Sequence, residues 1–162
     1  MAGRIEARLA ELGIALPEPV APLAEYVPWV ESGKLLFVSG QLPLKGGDLV
    51  RGQLTAADHA DDPAPGSKLG EAKAAAELCA VNMLAQVKAA TGDLDRVRRV
   101  VKLTGFVSCD GSFAQQPQVI NGASELMGRV FGEAGRHARS AVGSPSLPRG
   151  ALVEVEGILE IA

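Results

Sequence analysis

Residues Lys68 to Ala90 constrain this chain more than any other stretch. Leu69, Ala72, Ala76, Cys79, Met83, Val87 and Ala90 recur at helical spacing and form one stripe. Ser67 stands where a helix cap belongs, and Thr91-Gly92 where a helix stops. A helix of this length with one apolar stripe must bury that stripe against another layer. Aromatic residues are only 4% of the chain, so short aliphatics, chiefly Ala, Val and Leu, must fill the core. That composition suits close packing of small side chains, and also a subunit interface.

The elements around this helix follow from the same logic. Ile5, Leu9 and Leu12 predict a short amphipathic helix that ends at Gly13. "LPEPVAPLAEYVPWV", with four prolines, reads as an extended surface connector. "KLLFVSGQLP" (Lys34 to Pro43) begins as an apolar strand and breaks at Gly40, and Gly46-Gly47 turns into a second short strand. "TAADHADDPAPGS" has no periodicity and reads as a mobile loop. In "VRRVVKLTGFVSC", strict alternation places Val97, Arg99, Val101, Leu103, Gly105, Val107 and Cys109 on one strand face. Pro117 suits the first turn of a second long helix, through Val119, Leu126 and Val130 to about Ala134. "RSAVGSPSL" is a strand broken at Pro145, and "ALVEVEGILEIA" is the last strand. Two long helices on one face of a mixed sheet make an α+β domain of two layers.

With 162 residues, 47% of them hydrophobic and 22% charged, the chain supports one globular domain. A net charge of −3 without a long basic run argues against nucleic acid as a partner. Cys79 and Cys109 sit in apolar settings and read as free buried thiols. No Cys/His spacing resembles a zinc site, so no metal is expected. "MAGRIEARLAELG" lacks the apolar core of a signal peptide, and the longest apolar runs fall far short of the ~20 residues that span a bilayer. A cytoplasmic protein without membrane contact is expected.

Two stretches stand out chemically. "GRHARSAV" (Gly135 to Val142) puts two arginines and a histidine at the entrance to an apolar strand. In the last strand Val153, Val155, Leu159 and Ile161 take the core side, while Glu154, Glu156 and Glu160 share the other with Leu152 and Ile158. A half-apolar, half-acidic face suggests contact with another subunit. Arginine holds a carboxylate through two parallel hydrogen bonds. Arg139 and Glu154 therefore form a structural pair, a ligand clamp, or both. His137 and His59 read as turn or surface residues. Ser39 lacks the Gly-x-Ser-x-Gly elbow of a nucleophilic serine.

Three segments together resemble the RidA/YjgF family, also known as endoribonuclease L-PSP. They are "YVPWVESGKLLFVSGQLP", "GDLDRVRRVVKLTGFVSCDGSF" and "ARSAVGSPSLPRGALVEVEGILEIA", in family order. The resemblance spans about Pro19 to Ala162, and "NGASELM…FGEAGRHARSAVG" is similar to the family's longer, chorismate-mutase-like branch. It implies one domain over residues 1–162, with an N-terminal helical extension at 1–18 and a loop insertion at 55–66. It also implies a homotrimer around a central barrel, with ligand clefts between subunits. The family activity is hydrolysis of reactive 2-imino and enamino acids to 2-keto acids and ammonia, without a cofactor. By position, Arg139 would hold the substrate carboxylate and Glu154 would serve the hydrolytic water. Tyr26, Ser39, Gly40, Asn121 and the backbone at Ala141 would line the site. The family often has cysteine where this chain has Ala141. The alternatives are a regulatory trimer that binds a small carboxylate without turnover and, less favoured, an endoribonuclease.

Overall fold

A computed structural model describes residues 3–22, 24–61 and 64–162. Two residues of the expected N-terminal extension, Leu23 of the connector and Asp62-Pro63 of the expected loop lie outside them.

The long helix forms where its pattern predicts. In α2 (Lys68–Thr91) the Ser67 hydroxyl accepts from the Gly70 amide at 3.0 Å, and Gly92 ends the helix at φ 74°. Its burial is wider than one stripe: Ala75, Ala80, Leu84 and Ala85 are buried too. The reason is that α2 meets neighbours on several sides: the sheet, the second long helix α3 (Gln116–Phe131), and the chain before them. The helices approach closely at Gly122, where a Cβ would run into the Lys73 carbonyl. Making room for a methyl group there would cost roughly 1–3 kcal/mol.

Both helices cover one face of a five-stranded sheet. Its strands are β1 (Trp29–Ser32), β2 (Leu35–Gln41), β5 (Val97–Ser108), β6 (Ala138–Ser144) and β7 (Val153–Ile161), in the order β1-β2-β7-β5-β6. Only β5 and β6 run parallel. The short β3 (Leu44–Lys45) and β4 (Asp48–Leu49) form a separate hairpin. Its turn residues Gly46 and Gly47 take φ of 59° and 87°, the mirror-image geometry that closes a two-residue hairpin. This is the two-layer α+β architecture with a mixed sheet that the sequence predicts.

The short helix α1 (Arg4–Glu11) buries Ile5 and Leu9. Its N-terminus has no cap of its own. Instead Asp95, from the turn before β5, accepts from the Arg4 and Ile5 amides at 2.7 and 2.9 Å. Those bonds hold the Asp95 carboxyl below the usual aspartate range. Glu6 pairs with Lys88 of α2.

Several expectations are corrected. In β5, Arg99 is exposed and Val101 only half-buried, while Val97, Val100, Leu103, Gly105 and Val107 take the core side. Register irregularities at Val97/Arg99 and Val100/Lys102 cause this, because each extra residue reverses the alternation that follows. The proline-rich connector ends in a strand: Trp29 to Ser32 pair with β2. Leu152 is buried, not on the outer face, because the Val50–Leu54 segment runs beside it and its amide bonds the Val50 carbonyl. The expected loop is anchored over its first residues. Thr55 and Asp58 cap each other's backbone, and the Gln115 amide makes two bonds to the Ala60 backbone at 3.0 and 2.8 Å.

The last strand keeps its predicted alternation. Val153, Val155, Leu159 and Ile161 are buried, and Glu156 is exposed. The uncovered sheet face also carries Val30, Phe37 and Val142, at 52%, 41% and 44% exposure, beside Lys102, Thr104 and Ile158. Among the described residues, no helix is long and apolar enough to cross a membrane. Cys79 and Cys109 are buried free thiols, as expected.

Candidate functional site

The predicted site residues fall into two groups. The first lies at the β6 edge of the sheet. Arg139 pairs in register with Leu103 of β5, whose side chain is fully buried under the helices. Cross-strand partners share a face, so Arg139 points toward the helix layer. There α3 presents Asn121 and Ser124, one turn apart. The Arg139 Nη1 group donates to Asn121 Oδ1 at 2.8 Å and to Ser124 Oγ at 3.2 Å. Both Nη1 protons are thereby engaged. The Nε and Nη2 protons, which form the other flat edge of the guanidinium, have no partner among the described residues. No carboxylate neutralises Arg139 among those residues either.

The expected structural pair of Arg139 and Glu154 is not formed. Glu154 pairs with Phe106, three residues further along β5, and lies on the opposite face of the sheet. Strand β5 separates the two residues. Ala141 lies on the same side of β6 as Arg139 and packs against the core.

His137 is more than a turn residue. It precedes Arg139 by two positions and is half-buried. Its Nδ1 lies 2.6 Å from the Gly135 carbonyl oxygen and its Nε2 lies 2.9 Å from Ser124 Oγ. Sequence reasoning missed both Ser124 and His137. The available signals were the three-residue step from Asn121 to Ser124 on a helix and the two-residue step from His137 to Arg139 entering a strand.

The second group lies where β2 meets β7. Ser39 and Gly40 occur at a register shift in β2 between Val38 and Gln41. The Ser39 hydroxyl donates to the Val27 carbonyl at 2.7 Å, which fixes it as a backbone anchor. A cleft beside it is lined by Tyr26, Pro28, Ser39, Gly40, Asn82 and Gln86. Tyr26 is 50% exposed at its mouth. The buried amides of Asn82 and Gln86 hold the loops that frame the cleft, donating to Leu42, Leu44 and Val20 carbonyls at 2.8 to 3.0 Å. Glu154 lies across Gly40 so closely that a side chain at 40 would overlap its carboxylate. Burial, reinforced by the neighbouring Glu156 charge, raises the proton affinity of Glu154 above that of an ordinary glutamate.

Among the described residues, one acidic cluster brings three carboxylates close together: Glu6, Asp93 and Asp95. Its members already serve other partners, since Asp95 caps α1, Glu6 pairs with Lys88, and Asp93 accepts from the Asp95 amide.

The molecule is thus a two-layer α+β protein with an edge-strand arginine bonded to Asn121 and Ser124 and a separate carboxyl of raised proton affinity. The comparisons place it further. Residues 6–161 match the family described as "YjgF/chorismate_mutase-like, putative endoribonuclease". Protein TCP17 of Trypanosoma cruzi is 49% identical over 161 residues, covering 98% of this chain and 95% of that protein. The crystal structure of Atu1372 from Agrobacterium tumefaciens, described as of unknown function, is 52% identical with a TM-score of 0.84, covering 98% of this chain and 92% of that one. A "putative endoribonuclease" from Shewanella oneidensis is 35% identical with a TM-score of 0.87, covering 98% and 100%. The chain belongs to the RidA/YjgF family.

Proposed function

We propose that this protein hydrolyses small 2-imino and enamino acids to 2-keto acids and ammonia, in clefts formed between copies of a homotrimer. The carrying observation is Arg139: a partly buried guanidinium with two protons held by Asn121 and Ser124, and its Nε–Nη2 edge free for a carboxylate.

The chemistry needs little from the protein beyond placement. An enamino acid first takes a proton at carbon and becomes the imine. Water adds to the imine carbon, the resulting carbinolamine expels ammonia, and the C=O bond of the keto acid forms. Arg139 fixes the carboxylate and so aims the imine carbon. Glu154, whose raised proton affinity suits a general base, accepts a proton from the attacking water and returns it to the amine nitrogen, which leaves as ammonia when the carbinolamine hydroxyl gives up its own proton. Holding substrate and water together makes the encounter local.

In one chain Arg139 and Glu154 face opposite sides of the sheet, so a second copy must supply one of them. The uncovered apolar residues Val30, Phe37 and Val142 support such an assembly, as large apolar side chains on a sheet face favour burial against another chain.

The test couples the purified protein to an amino-acid oxidase and follows imine decay. The expected result is faster decay for at least one small aliphatic imino acid. No acceleration across a panel of amino acids overturns the proposal. Pyruvate binding that depends on Arg139 but brings no acceleration would replace it with a carboxylate-binding role.

A further inference from the structure

Arg139 lies near one end of a chain of close polar contacts that runs through Ser124 and His137 to the Gly135 backbone carbonyl. We infer that His137 is a positioning residue that sets the direction of the Ser124 hydroxyl and through it the free edge of Arg139. The inference rests on Arg139 being the carboxylate clamp proposed above.

The argument is one of donors and acceptors. The Gly135 carbonyl oxygen can only accept, so at 2.6 Å the His137 Nδ1 must carry the proton. In the neutral ring Nε2 is then an acceptor, and at 2.9 Å it takes the hydroxyl proton of Ser124. With its proton turned toward His137, Ser124 Oγ presents lone pairs to Arg139 Nη1 at 3.2 Å. Asn121 Oδ1 receives the other Nη1 proton at 2.8 Å. Every bond in the sequence Gly135–His137–Ser124–Arg139–Asn121 has one donor and one acceptor. A hydroxyl free to rotate could point its proton at the guanidinium instead, and that arrangement repels.

The two acceptors also select an edge. Because Nη1 is fully engaged, a carboxylate must dock on Nε and Nη2, side-on. An end-on approach, across Nη1 and Nη2, would compete with Asn121 and Ser124. His137 therefore acts on where the acid end of a ligand sits without touching it.

Substitutions at His137 and Ser124 test this, with pyruvate as binding probe and imine hydrolysis as the kinetic readout. Removing the acceptor in His137→Leu is expected to raise the pyruvate Kd and the substrate KM about tenfold, with a smaller fall in kcat, since most of a clamp's contribution is shared by the ground and transition states. His137→Gln, whose amide oxygen can still take the Ser124 proton, should recover most of that loss. Ser124→Ala should match His137→Leu, and the double variant should add little to either. Nitrogen NMR of the wild-type ring should show the Nδ1–H tautomer at neutral pH. Wild-type affinity in His137→Leu, additive losses in the double variant, or an Nε2–H tautomer would each overturn the inference. The NMR result needs no substrate and no variant. A protein that shows the Nδ1–H tautomer but neither binds pyruvate nor hydrolyses imines would refute the proposed function and leave the hydrogen-bond chain standing.

Discussion

The β6 edge and the β2–β7 junction contain the two halves of the candidate site, and they are built on opposite terms. At the β6 edge a permanent cation is bonded by Asn121 and Ser124, with His137 behind Ser124. Among the described residues no carboxylate pairs with the guanidinium. At the junction an acid sits across Gly40, half-covered, with a like charge two residues away and, among the described residues, no cation paired with it. The first region keeps a charge available by orienting it. The second raises the proton affinity of a carboxyl by raising the cost of its charge. One chain holds both, and the sheet keeps them on opposite faces; the proposed reaction needs a second copy to bring them together.

The comparison can be broken most sharply at Arg139. Arg139→Ala should lower kcat/KM for imine hydrolysis by about two to three orders of magnitude, in line with losing a buried charged partner of a carboxylate. Its melting temperature should hardly move, because Arg139 has no ion pair among the described residues to lose. A large drop in melting temperature by circular dichroism would show a structural cation instead of a clamp.

Glu154→Gln should act mainly on kcat, by roughly a hundredfold, with KM little changed. It should also alter stability in a defined direction. Glu154 keeps its proton to higher pH in the folded chain than in the unfolded one, so ionising it costs stability as pH rises through that range. Glutamine has no such proton to lose. Urea unfolding should therefore show the variant more stable than wild type near neutral pH, with the difference vanishing in acid below the ordinary glutamate range. A difference that grows in acid would mean that a cation pairs with Glu154 in the assembly.

Gly40→Ala is the gentlest probe. The added methyl meets the flexible end of Glu154 and pushes its carboxylate aside. A fall in kcat of about tenfold with unchanged pyruvate affinity would keep the two regions separate, because a small misplacement of a reacting group weakens catalysis without affecting a remote anchor. Equal loss of pyruvate affinity would show that the regions are not independent.

Much of this was legible along the chain. The caps of α2, the Gly-Gly hairpin turn, the proline at the start of α3 and the alternation in β7 are local patterns, and each formed where its residues predict. The family resemblance pointed to Arg139 and Asn121, and the structure joins them by a hydrogen bond. The illegible parts were those in which distant residues meet. Strict alternation misassigned Arg99 and Val101, since a bulge is fixed by pairing with β7 and not by the strand's own composition. His137 looked like a turn residue because its partners, Gly135 and Ser124, include one that lies on another element.

By itself, then, the order of residues decided most of the elements, the caps of α2 and the apolar face of β7, because caps, periodicity and turn geometry depend on neighbours a few positions apart. Only the folded chain decided that Arg139 turns inward to α3 and that the outward-facing Glu154 comes to lie over Gly40. That choice depends on strand order and register, which arise from contacts between segments far apart in sequence.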